Sequence, residues 1–146
     1  MVQTAMVQTA TAVWQGDLKG GSGTLSVKSG VLSNIPYTFD TRFAGKEGTN
    51  PEELIGAAHA GCFTMALSGE IGKAGLKAER LETTAEVTLE TVDGKPTVTK
   101  SHLRLTAKVP GMDKGKFDAM ANAVKDGCIV SRLLKADLSL EATLEG

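Results

Sequence analysis

The sequence of 146 residues predicts an α+β fold, in which strand pairs and helices occupy separate stretches of the chain. Two short runs rich in β-forming residues flank a glycine-containing turn near the amino terminus, and two longer alternating runs flank Asp93-Gly94. Between these pairs lies a helical segment, 51–75, that is apolar around its whole circumference. Because hairpins join antiparallel strands, we expect antiparallel sheets rather than a parallel sheet built from βαβ units.

The first pair of strands is predicted over 9–18 and 23–32. The glycine-rich segment Lys19-Gly20-Gly21-Ser22 joins them as a turn. A third strand is predicted over 37–43, where aromatic residues and threonines are frequent. The glycines of the segment 45–48 then end that strand.

The best-marked boundary in the sequence is the start of a long helix. Asn50 can cap this helix, Pro51 suits its first position, and Glu53 can complete a capping box. The helix is expected to end at Gly75, because glycine readily adopts the positive φ of a carboxy-terminal cap. A helix that is apolar on every side belongs in the interior. Its glycines favour close helix-on-helix contact, including contact between subunits, and they are Gly56, Gly61, Gly69 and Gly72.

A hairpin, two helices and a closing strand are predicted for the rest of the chain. Alternating apolar residues over 83–109 indicate two strands joined at Asp93-Gly94. Asp113 can cap a helix that runs to Gly127, and 129–135 favours one more short helix. Strict alternation over 138–144 predicts the final strand.

The composition argues against several classes of protein. With 16 basic and 17 acidic residues the net charge is −1, which disfavours a nucleic acid or a membrane surface as the partner. Residues 1–13 contain no basic cluster before an apolar run, so we expect a cytoplasmic protein. We also expect a single domain, 1–146, in which the duplicated pentapeptide Met-Val-Gln-Thr-Ala at 1–10 frays.

Two cysteines, Cys62 and Cys128, are the candidates for redox chemistry. In a reducing compartment such thiols are buried and inert, bind metal or are redox-active, and seldom form a static bridge. Burial of Cys62 in the apolar helix would raise the pKa of its thiol, so a nucleophile at neutral pH needs about 3–4 kcal/mol of added thiolate stabilisation. One guanidinium about 4 Å from the sulfur contributes about 4 kcal/mol at an effective dielectric constant of about 20.

The arginines that could supply this charge are Arg42, Arg80, Arg104 and Arg132. Arg80 lies in a polar linker and Arg104 on the polar face of a strand, so we expect both to be solvated. Arg42 and Arg132 therefore remain as candidates for the positive charge near the Cys62 sulfur. Arg42 stands among aromatic residues, where it needs an acidic partner, and Glu52 or Glu53 can supply one.

Glu52 and Cys62 are far apart along the predicted helix. They are separated by ten positions, which corresponds to about 15 Å, and they lie on different faces. An arginine bound to Glu52 would therefore reach a sulfur more easily across a two-fold interface than within one chain. We therefore expect a homodimer with composite sites.

Cys128 follows a glycine and begins the predicted short helix. Backbone N–H groups and the helix dipole at such a position favour a thiolate. Two cysteines can form a disulfide when their Cα atoms are about 6 Å apart, and the spacing in the sequence leaves that distance open.

Other functions compete with redox chemistry. His59 and Cys62 are spaced i, i+3 and could ligate a metal ion, with His102 and Cys128 as further candidates, but two paired ligands are too few for a site. A thioredoxin-like enzyme is disfavoured because the sequence contains no Cys-x-x-Cys. A non-catalytic stress or ligand-binding protein stays open, because a fold does not by itself imply chemistry.

Two segments carry a resemblance to a known family. They are 41–63, TRFAGKEGTNPEELIGAAHAGCF, and 125–135, KDGCIVSRLLK. Together they resemble the osmotically inducible protein C (OsmC/Ohr) family of hydroperoxide reductases, nearer to the OsmC branch than to the organic hydroperoxide resistance branch. The likeness extends from about Val13 to the carboxy terminus.

The resemblance implies roles for four residues. Cys62 would be the peroxidatic thiol, Cys128 the resolving thiol, and Arg42 with Glu52 the activating pair. The implied fold is OsmC-like, with antiparallel sheets wrapped around a long central buried helix in an intertwined homodimer, and with no metal and no bound cofactor. The implied reaction reduces organic hydroperoxides, and hydrogen peroxide more weakly, through a Cys62 sulfenic acid and a Cys62–Cys128 disulfide. An external dithiol, such as a lipoyl group, would then restore the thiols.

The sequence departs from the family pattern at two positions. Ile129 stands where the family usually has proline, and Gly61 stands where alanine is common. Neither change removes a reacting group. An apolar lining would favour an alkyl hydroperoxide over hydrogen peroxide, although each of its candidate residues could equally be ordinary core packing. These candidates are Phe43, Phe63, Met65 and Ile129.

Overall fold

The computed structural model describes residues 5–146. The chain forms two compact units, one ending at Pro51 and the other comprising Glu52–Gly146. The duplicated segment 1–10 lies partly outside the described residues, and Ala10 begins the first strand.

The amino-terminal unit contains a three-stranded antiparallel sheet. Its strands, in pairing order, are β1 (Ala10–Gln15), β2 (Ser22–Val27) and β3 (Ile35–Tyr37). The turn between β1 and β2 requires glycine at position 21, because a Cβ there would lie 2.4 Å from the carbonyl oxygens of Gln15 and Asp17. The first two predicted strands are confirmed, with shorter bounds than the sequence pattern indicated.

The third strand predicted over 37–43 is wrong beyond its first residue, because a short helix, α1 (Phe39–Phe43), replaces it. The Thr38 hydroxyl accepts the Thr41 N–H at 3.2 Å, and the Thr41 hydroxyl accepts the Thr38 N–H at 2.9 Å. This reciprocal capping box satisfies two N–H groups at the helix start and so favours helix over strand. As a result Arg42 lies on a helix and not on a strand.

The long helix, α2 (Pro51–Lys73), begins and ends where the sequence predicts. Gly75 has a φ of +81° and donates its N–H to the carbonyl of Gly72 at 3.0 Å. The N–H of Leu76 donates to the carbonyl of Ile71 at 3.2 Å. These two bonds form a Schellman motif, which pairs carbonyl groups that the helix end would otherwise leave open.

One face of α2 is buried in the carboxy-terminal unit. The buried positions recur every three or four residues, and they are Glu52, Gly56, His59, Phe63, Leu67 and Ile71. Apolar residues on other faces are exposed in the single chain, for example Met65, whose exposure is 79%. By length and hydropathy α2 is the one helix among residues 5–146 that could cross a membrane, but the core helix of a soluble protein passes the same test. The buried face identifies α2 as a core helix.

A three-stranded sheet and two further helices complete this unit. They are β4 (Arg80–Val92), β5 (Lys95–Lys108), α3 (Lys114–Gly127), α4 (Ile129–Leu133) and β6 (Asp137–Glu145). The predicted hairpin joins β4 and β5 through Asp93 and Gly94, whose φ angles of 51° and 78° suit a type I′ turn. The predicted cap of α3 is confirmed, since the Asp113 carboxylate accepts the Lys116 N–H at 2.9 Å.

The α+β class and the antiparallel hairpins are confirmed, and the closing strand adds a parallel pairing. β6 lies beside β5 in parallel register. The hairpin pattern in the sequence does not predict this pairing, which arises because α3 and α4 carry the chain back along the sheet before β6 begins. The core is formed by apolar side chains of α2, β5 and α3, and Cys128 belongs to it.

Candidate active site

The two cysteines meet at the amino-terminal end of α4. Cys62 is half-buried on α2, and Cys128 is buried between α3 and α4 with 4% of its surface exposed. The Cys128 thiol is close enough to Cys62 to raise the pKa of the Cys62 thiol. The fold therefore brings together the two sulfur atoms whose separation the sequence left open.

Backbone N–H groups of α4 are directed at the Cys62 sulfur. The N–H of Val130 donates to Sγ at 3.4 Å. The N–H of Ile129 also lies close enough to lower the pKa of the Cys62 thiol. Burial is the largest influence and raises the pKa of the Cys62 thiol, while the two N–H groups lower this pKa and the adjacent Cys128 raises it. The net effect of these groups is a Cys62 pKa above the ordinary thiol value.

From the sequence we expected the amino terminus of α4 to stabilise a Cys128 thiolate, but in the structure its N–H groups are directed at Cys62. Cys128 occupies the N-cap position, but its side chain forms no capping hydrogen bond. Its Sγ lies 3.0 Å from the Ser131 hydroxyl instead. The first-turn N–H groups, which have no partner inside a helix, are left for Cys62. A thiolate at position 62 is therefore the one that this helix end stabilises.

His59 connects the site to the sheet. Its ring is fully buried, with Nδ1 2.6 Å from the Ser101 hydroxyl on β5 and Nε2 2.8 Å from the Ser131 hydroxyl on α4. Burial lowers the pKa of His59. Ser131 thus contacts both the imidazole and the Cys128 sulfur.

Sequence reasoning missed the two serines and considered His59 only as a metal ligand. Two features could have indicated them: His59 lies on the buried face of the helix, where a polar ring needs partners, and Ser131 follows Cys128 by three residues. Both ring nitrogens are engaged by hydroxyls, which disfavours a metal ion shared with Cys62. Within residues 5–146 no three His, Cys, Asp or Glu side chains are grouped to hold a metal.

Arg42 and Glu52, the predicted activating pair, lie in different units. Arg42 is exposed on α1, and its guanidinium carbon is 5.1 Å from the centre of the Phe43 ring. Glu52 is buried in the first turn of α2, with 9% of its surface exposed. The association of these two residues with each other and with Cys62 stays a prediction.

The structure also shows the environments of the other three arginines and of the predicted cap residues of α2. Arg80 and Arg104 are solvated, as predicted, although Arg80 begins β4 and does not lie in a linker. Arg80 pairs with Glu82, and Arg104 pairs with Glu86 and Glu141 on the exposed surface. Arg132 is exposed on α4. The Asn50 side-chain amide donates to the carbonyl of Thr41 at 3.0 Å, while the capping roles of Asn50 and Glu53 stay predictions.

The four residues considered as an apolar lining have different environments. Phe63 is fully buried in the core, so core packing is the correct interpretation for this residue. Met65 and Ile129 are each 79% exposed in the single chain. Phe43 is 41% exposed and borders a cavity of ≈ 230 Å³ with other aromatic residues of the amino-terminal unit.

Comparison with known proteins identifies the family. The profile of the OsmC-like protein family matches residues 44–143. The chain is 51% identical to the peroxiredoxin OsmC of Escherichia coli (strain K12) over 134 residues, which cover 92% of this chain and 94% of the relative. It is 29% identical to the organic hydroperoxide resistance protein of Xanthomonas axonopodis pv. citri over 104 residues, 69% of this chain and 70% of the relative. The chain belongs to the OsmC-like protein family.

Solved structures agree on the fold. An OsmC-like protein of unknown function from Vibrio cholerae superposes with a TM-score of 0.75 at 18% identity, covering 94% of this chain and 99% of that one. An organic hydroperoxide resistance protein from Elizabethkingia anophelis gives a TM-score of 0.73 at 22% identity, covering 99% of each chain. The OsmC-like fold expected from the sequence is confirmed.

Proposed function

We propose that this protein is a thiol peroxidase that reduces organic hydroperoxides, with Cys62 as the peroxidatic thiol and Cys128 as the resolving thiol. The observation that carries the proposal is the meeting of the two thiols beneath the N–H groups of α4. Relatives named peroxiredoxin and organic hydroperoxide resistance protein support the same activity. The proposed role is defence against oxidative stress, which follows from this chemistry, and against osmotic stress, which the family resemblance implies.

The reaction begins at Cys62. Its thiolate attacks the terminal oxygen of the hydroperoxide, the O–O bond breaks, and the departing alkoxide takes a proton to leave as an alcohol. Cys62 is then a sulfenic acid. The Cys128 thiol displaces the hydroxyl group from Cys62 to form a disulfide and water, which protects Cys62 from irreversible oxidation. An external dithiol reduces the disulfide by exchange.

The proposed roles of Arg42 and Glu52 follow from the environment of Cys62. Burial raises the pKa of this thiol, and the two α4 N–H groups offset only part of the effect. The thiolate therefore needs a further positive charge, which the Arg42 guanidinium would supply while Glu52 orients it. The same guanidinium would stabilise the charge that develops on the departing oxygen.

The assembly is proposed to be a homodimer of single-domain chains, with composite sites and a cytoplasmic location. Apolar side chains of α2 that stay exposed in one chain, such as Met65, support a second chain as their cover. The proposed reductant is a small dithiol, including a lipoyl group carried on a protein. Cys128 borders a cavity of ≈ 270 Å³, which supports access by a group of that size.

A preference for organic over hydrogen peroxide is also proposed. Arg42 borders the aromatic cavity of ≈ 230 Å³ in the amino-terminal unit, where an alkyl group would be favoured over water. We expect a higher kcat/KM for cumene hydroperoxide than for hydrogen peroxide. Equal values for the two peroxides would contradict the preference.

Thiol titration with mass spectrometry tests the activity directly. One equivalent of cumene hydroperoxide should remove two thiols from the wild-type protein and join Cys62 to Cys128. Cys62→Ser should show no turnover, because no nucleophile remains, whereas Cys128→Ser should reduce about one equivalent and stop at the sulfenic acid. His102→Ala, which changes a residue on the outer side of the sheet, serves as the control.

The alternative is a non-catalytic stress protein that binds a ligand. That protein would retain both thiols after peroxide treatment and would behave identically when either cysteine is replaced. Such a result would remove the proposed activity.

A further inference from the structure

A continuous chain of hydrogen bonds links the sheet to the Cys128 sulfur. Ser101 contacts His59 Nδ1 at 2.6 Å, His59 Nε2 contacts Ser131 at 2.8 Å, and Ser131 contacts Cys128 Sγ at 3.0 Å. His59, Ser101 and Ser131 are each at most 3% exposed. Nothing in the peroxidatic step uses this chain.

The hydrogen-bond chain ends at Cys128, the thiol that must lose a proton. Cys128 attacks Cys62 as a thiolate, since the thiolate and not the thiol is the nucleophile in such exchanges. A general base must therefore take the S–H proton before or during the attack. Ser131 is the hydroxyl in contact with that sulfur, and His59 is the base in contact with Ser131.

We propose that Ser131 and His59 relay the proton of Cys128 as this thiol attacks the Cys62 sulfenic acid, an inference that rests on the proposed function. Ser131 is a catalytic residue in this step because it touches the reacting sulfur. His59 is a positioning residue that acts through Ser131, and Ser101 fixes the ring by accepting the Nδ1 proton.

Atoms and charges balance in the step. In the resting state the Ser131 hydroxyl donates to Nε2 and accepts from the Cys128 S–H. The Cys128 proton moves to Ser131 Oγ and the Ser131 proton moves to Nε2, which leaves an imidazolium and a thiolate. The thiolate forms the S–S bond and the S–O bond of Cys62 breaks. The departing hydroxide takes the proton back from the relay and leaves as water.

The surroundings of His59 suit a temporary proton acceptor. Burial lowers the pKa of the ring, so it is neutral near pH 7 and its Nε2 lone pair is open to a proton. Both nitrogens keep a hydroxyl partner in the neutral and the protonated state. The elements around the ring carry several titratable or charged side chains besides His59. These are Glu52, Glu53, Cys62, Glu70 and Lys73 on α2, Cys128 before α4, Arg132 on α4, and Lys95, Lys100, His102, Arg104 and Lys108 on β5. All of the lysines and arginines among them are exposed.

The chain contains a matched control for this network. His102 lies beside Ser101 on β5, and its Nδ1 is 2.5 Å from the Ser139 hydroxyl on the outer side of the sheet. This pair has the same chemistry as His59 and Ser131, but no described contact joins it to a cysteine. Substitutions there report the general effect of breaking a histidine–serine contact.

The test separates the two oxidation steps in the full-length protein. One equivalent of cumene hydroperoxide is added in a quenched-flow instrument, dimedone traps the Cys62 sulfenic acid, and mass spectrometry counts the disulfide from about pH 5 to 8. The variants are Ser131→Ala, Ser131→Thr, which keeps the hydroxyl, and His59→Gln, whose amide can occupy the Nε2 position without accepting a proton. His102→Gln is the control.

In the wild-type protein we expect disulfide formation to slow only where His59 becomes protonated. Ser131→Ala and His59→Gln should oxidise Cys62 at the wild-type rate but form the disulfide about 100-fold more slowly. Their rate should rise about tenfold per pH unit, because hydroxide must then remove the Cys128 proton in place of the relay. Ser131→Thr should restore most of the rate, and His102→Gln should match the wild type.

The outcomes distinguish failure of the proton relay from failure of the proposed peroxidase activity. Wild-type disulfide rates and pH profiles in both variants would show that the network is only structural, and the inference would fall. If Cys62 of the wild-type protein is not oxidised, the proposed function itself fails, and the relay with it. Should His59→Gln not fold, Ser131→Ala alone decides through its rate and pH profile.

Discussion

Cys62 shows how opposing influences act on one residue. Partial burial of its sulfur against the core raises the thiol pKa, while two backbone N–H groups from α4 lower it. From the sequence we expected Cys62 to be buried. We also expected the amino-terminal end of α4 to stabilise a thiolate at Cys128, the residue that precedes this helix in the chain. In the structure the helix end stabilises the cysteine that is distant in sequence, because Cys128 directs its side chain to Ser131.

His59 should make the stability of the fold depend on pH. Its pKa is lowered by burial, so below about pH 6.5 the unfolded chain binds a proton that the folded chain does not. The contribution of neutral His59 to the free energy of unfolding is fully present above about pH 6.5. It is lost as the pH falls towards the folded-state pKa of His59, by up to about 1.4 kcal/mol per pH unit. Urea unfolding of the wild type between about pH 5 and 7 measures this loss.

The comparison variants for that measurement come from the two histidines. His59→Gln should remove most of the pH dependence, because the buried titrating ring is gone. His102→Gln should retain it. An equal slope in the wild type and in His59→Gln would assign the pH dependence to other groups.

At the scale of elements, α4 is the short helix on which the site depends. Its first residue, Ile129, is exposed, and Cys128 before it has φ −67° and ψ 155°, an extended conformation that suits a residue preceding proline. Proline is also favoured at the first position of a helix. The backbone is thus already compatible with the proline that the family usually has there.

Ile129→Pro should therefore stabilise the fold and weaken the thiolate. We expect a gain of about 0.4–1 kcal/mol in unfolding free energy, since proline restricts the unfolded chain. Proline also removes the Ile129 N–H that lowers the Cys62 pKa, so that pKa should rise. Thermal unfolding and the pH dependence of Cys62 alkylation measure the two effects.

Ile129→Ala is the matched control, because it changes the side chain but keeps the N–H. It should leave the Cys62 pKa near the wild-type value. A Cys62 pKa that is unchanged in the proline variant would show that the Ile129 N–H contributes nothing to the thiolate.

At the scale of the whole molecule, the proposed dimer depends on the exposed apolar side chains of α2. We expect light scattering to give twice the chain mass of 15.2 kDa. Met65→Glu should shift the protein towards monomer, since Met65 is 79% exposed in one chain and a charge there would be costly to bury between two chains. Ala119→Glu, on the exposed face of α3, should leave the dimer intact.

The composite-site proposal makes the activity follow the assembly. A monomeric Met65→Glu variant should lose peroxidase activity, because Arg42 would then lack its position across the interface. A monomer with full activity would contradict the composite site, and a wild-type monomer would contradict the dimer itself.

Local patterns in the sequence were sufficient for most elements. Pro51 and Gly75 mark the ends of α2, Asp93-Gly94 marks the hairpin, and Asp113 marks the cap of α3, because each depends on residues within one turn. The same kind of local information was misread at 37–43, where the Thr38–Thr41 capping box outweighs strand propensity.

The sequence by itself determined the fold class, the boundaries of the longer helices and of the hairpin, and the two candidate cysteines, since these depend on short-range patterns and on a family resemblance. Only the tertiary structure decided which groups surround each sulfur. The parallel pairing of β6, the direction of the α4 N–H groups and the contact of His59 with Ser101 and Ser131 join residues far apart in the chain. Such contacts depend on how helices pack against a sheet, and no local pattern specifies that packing.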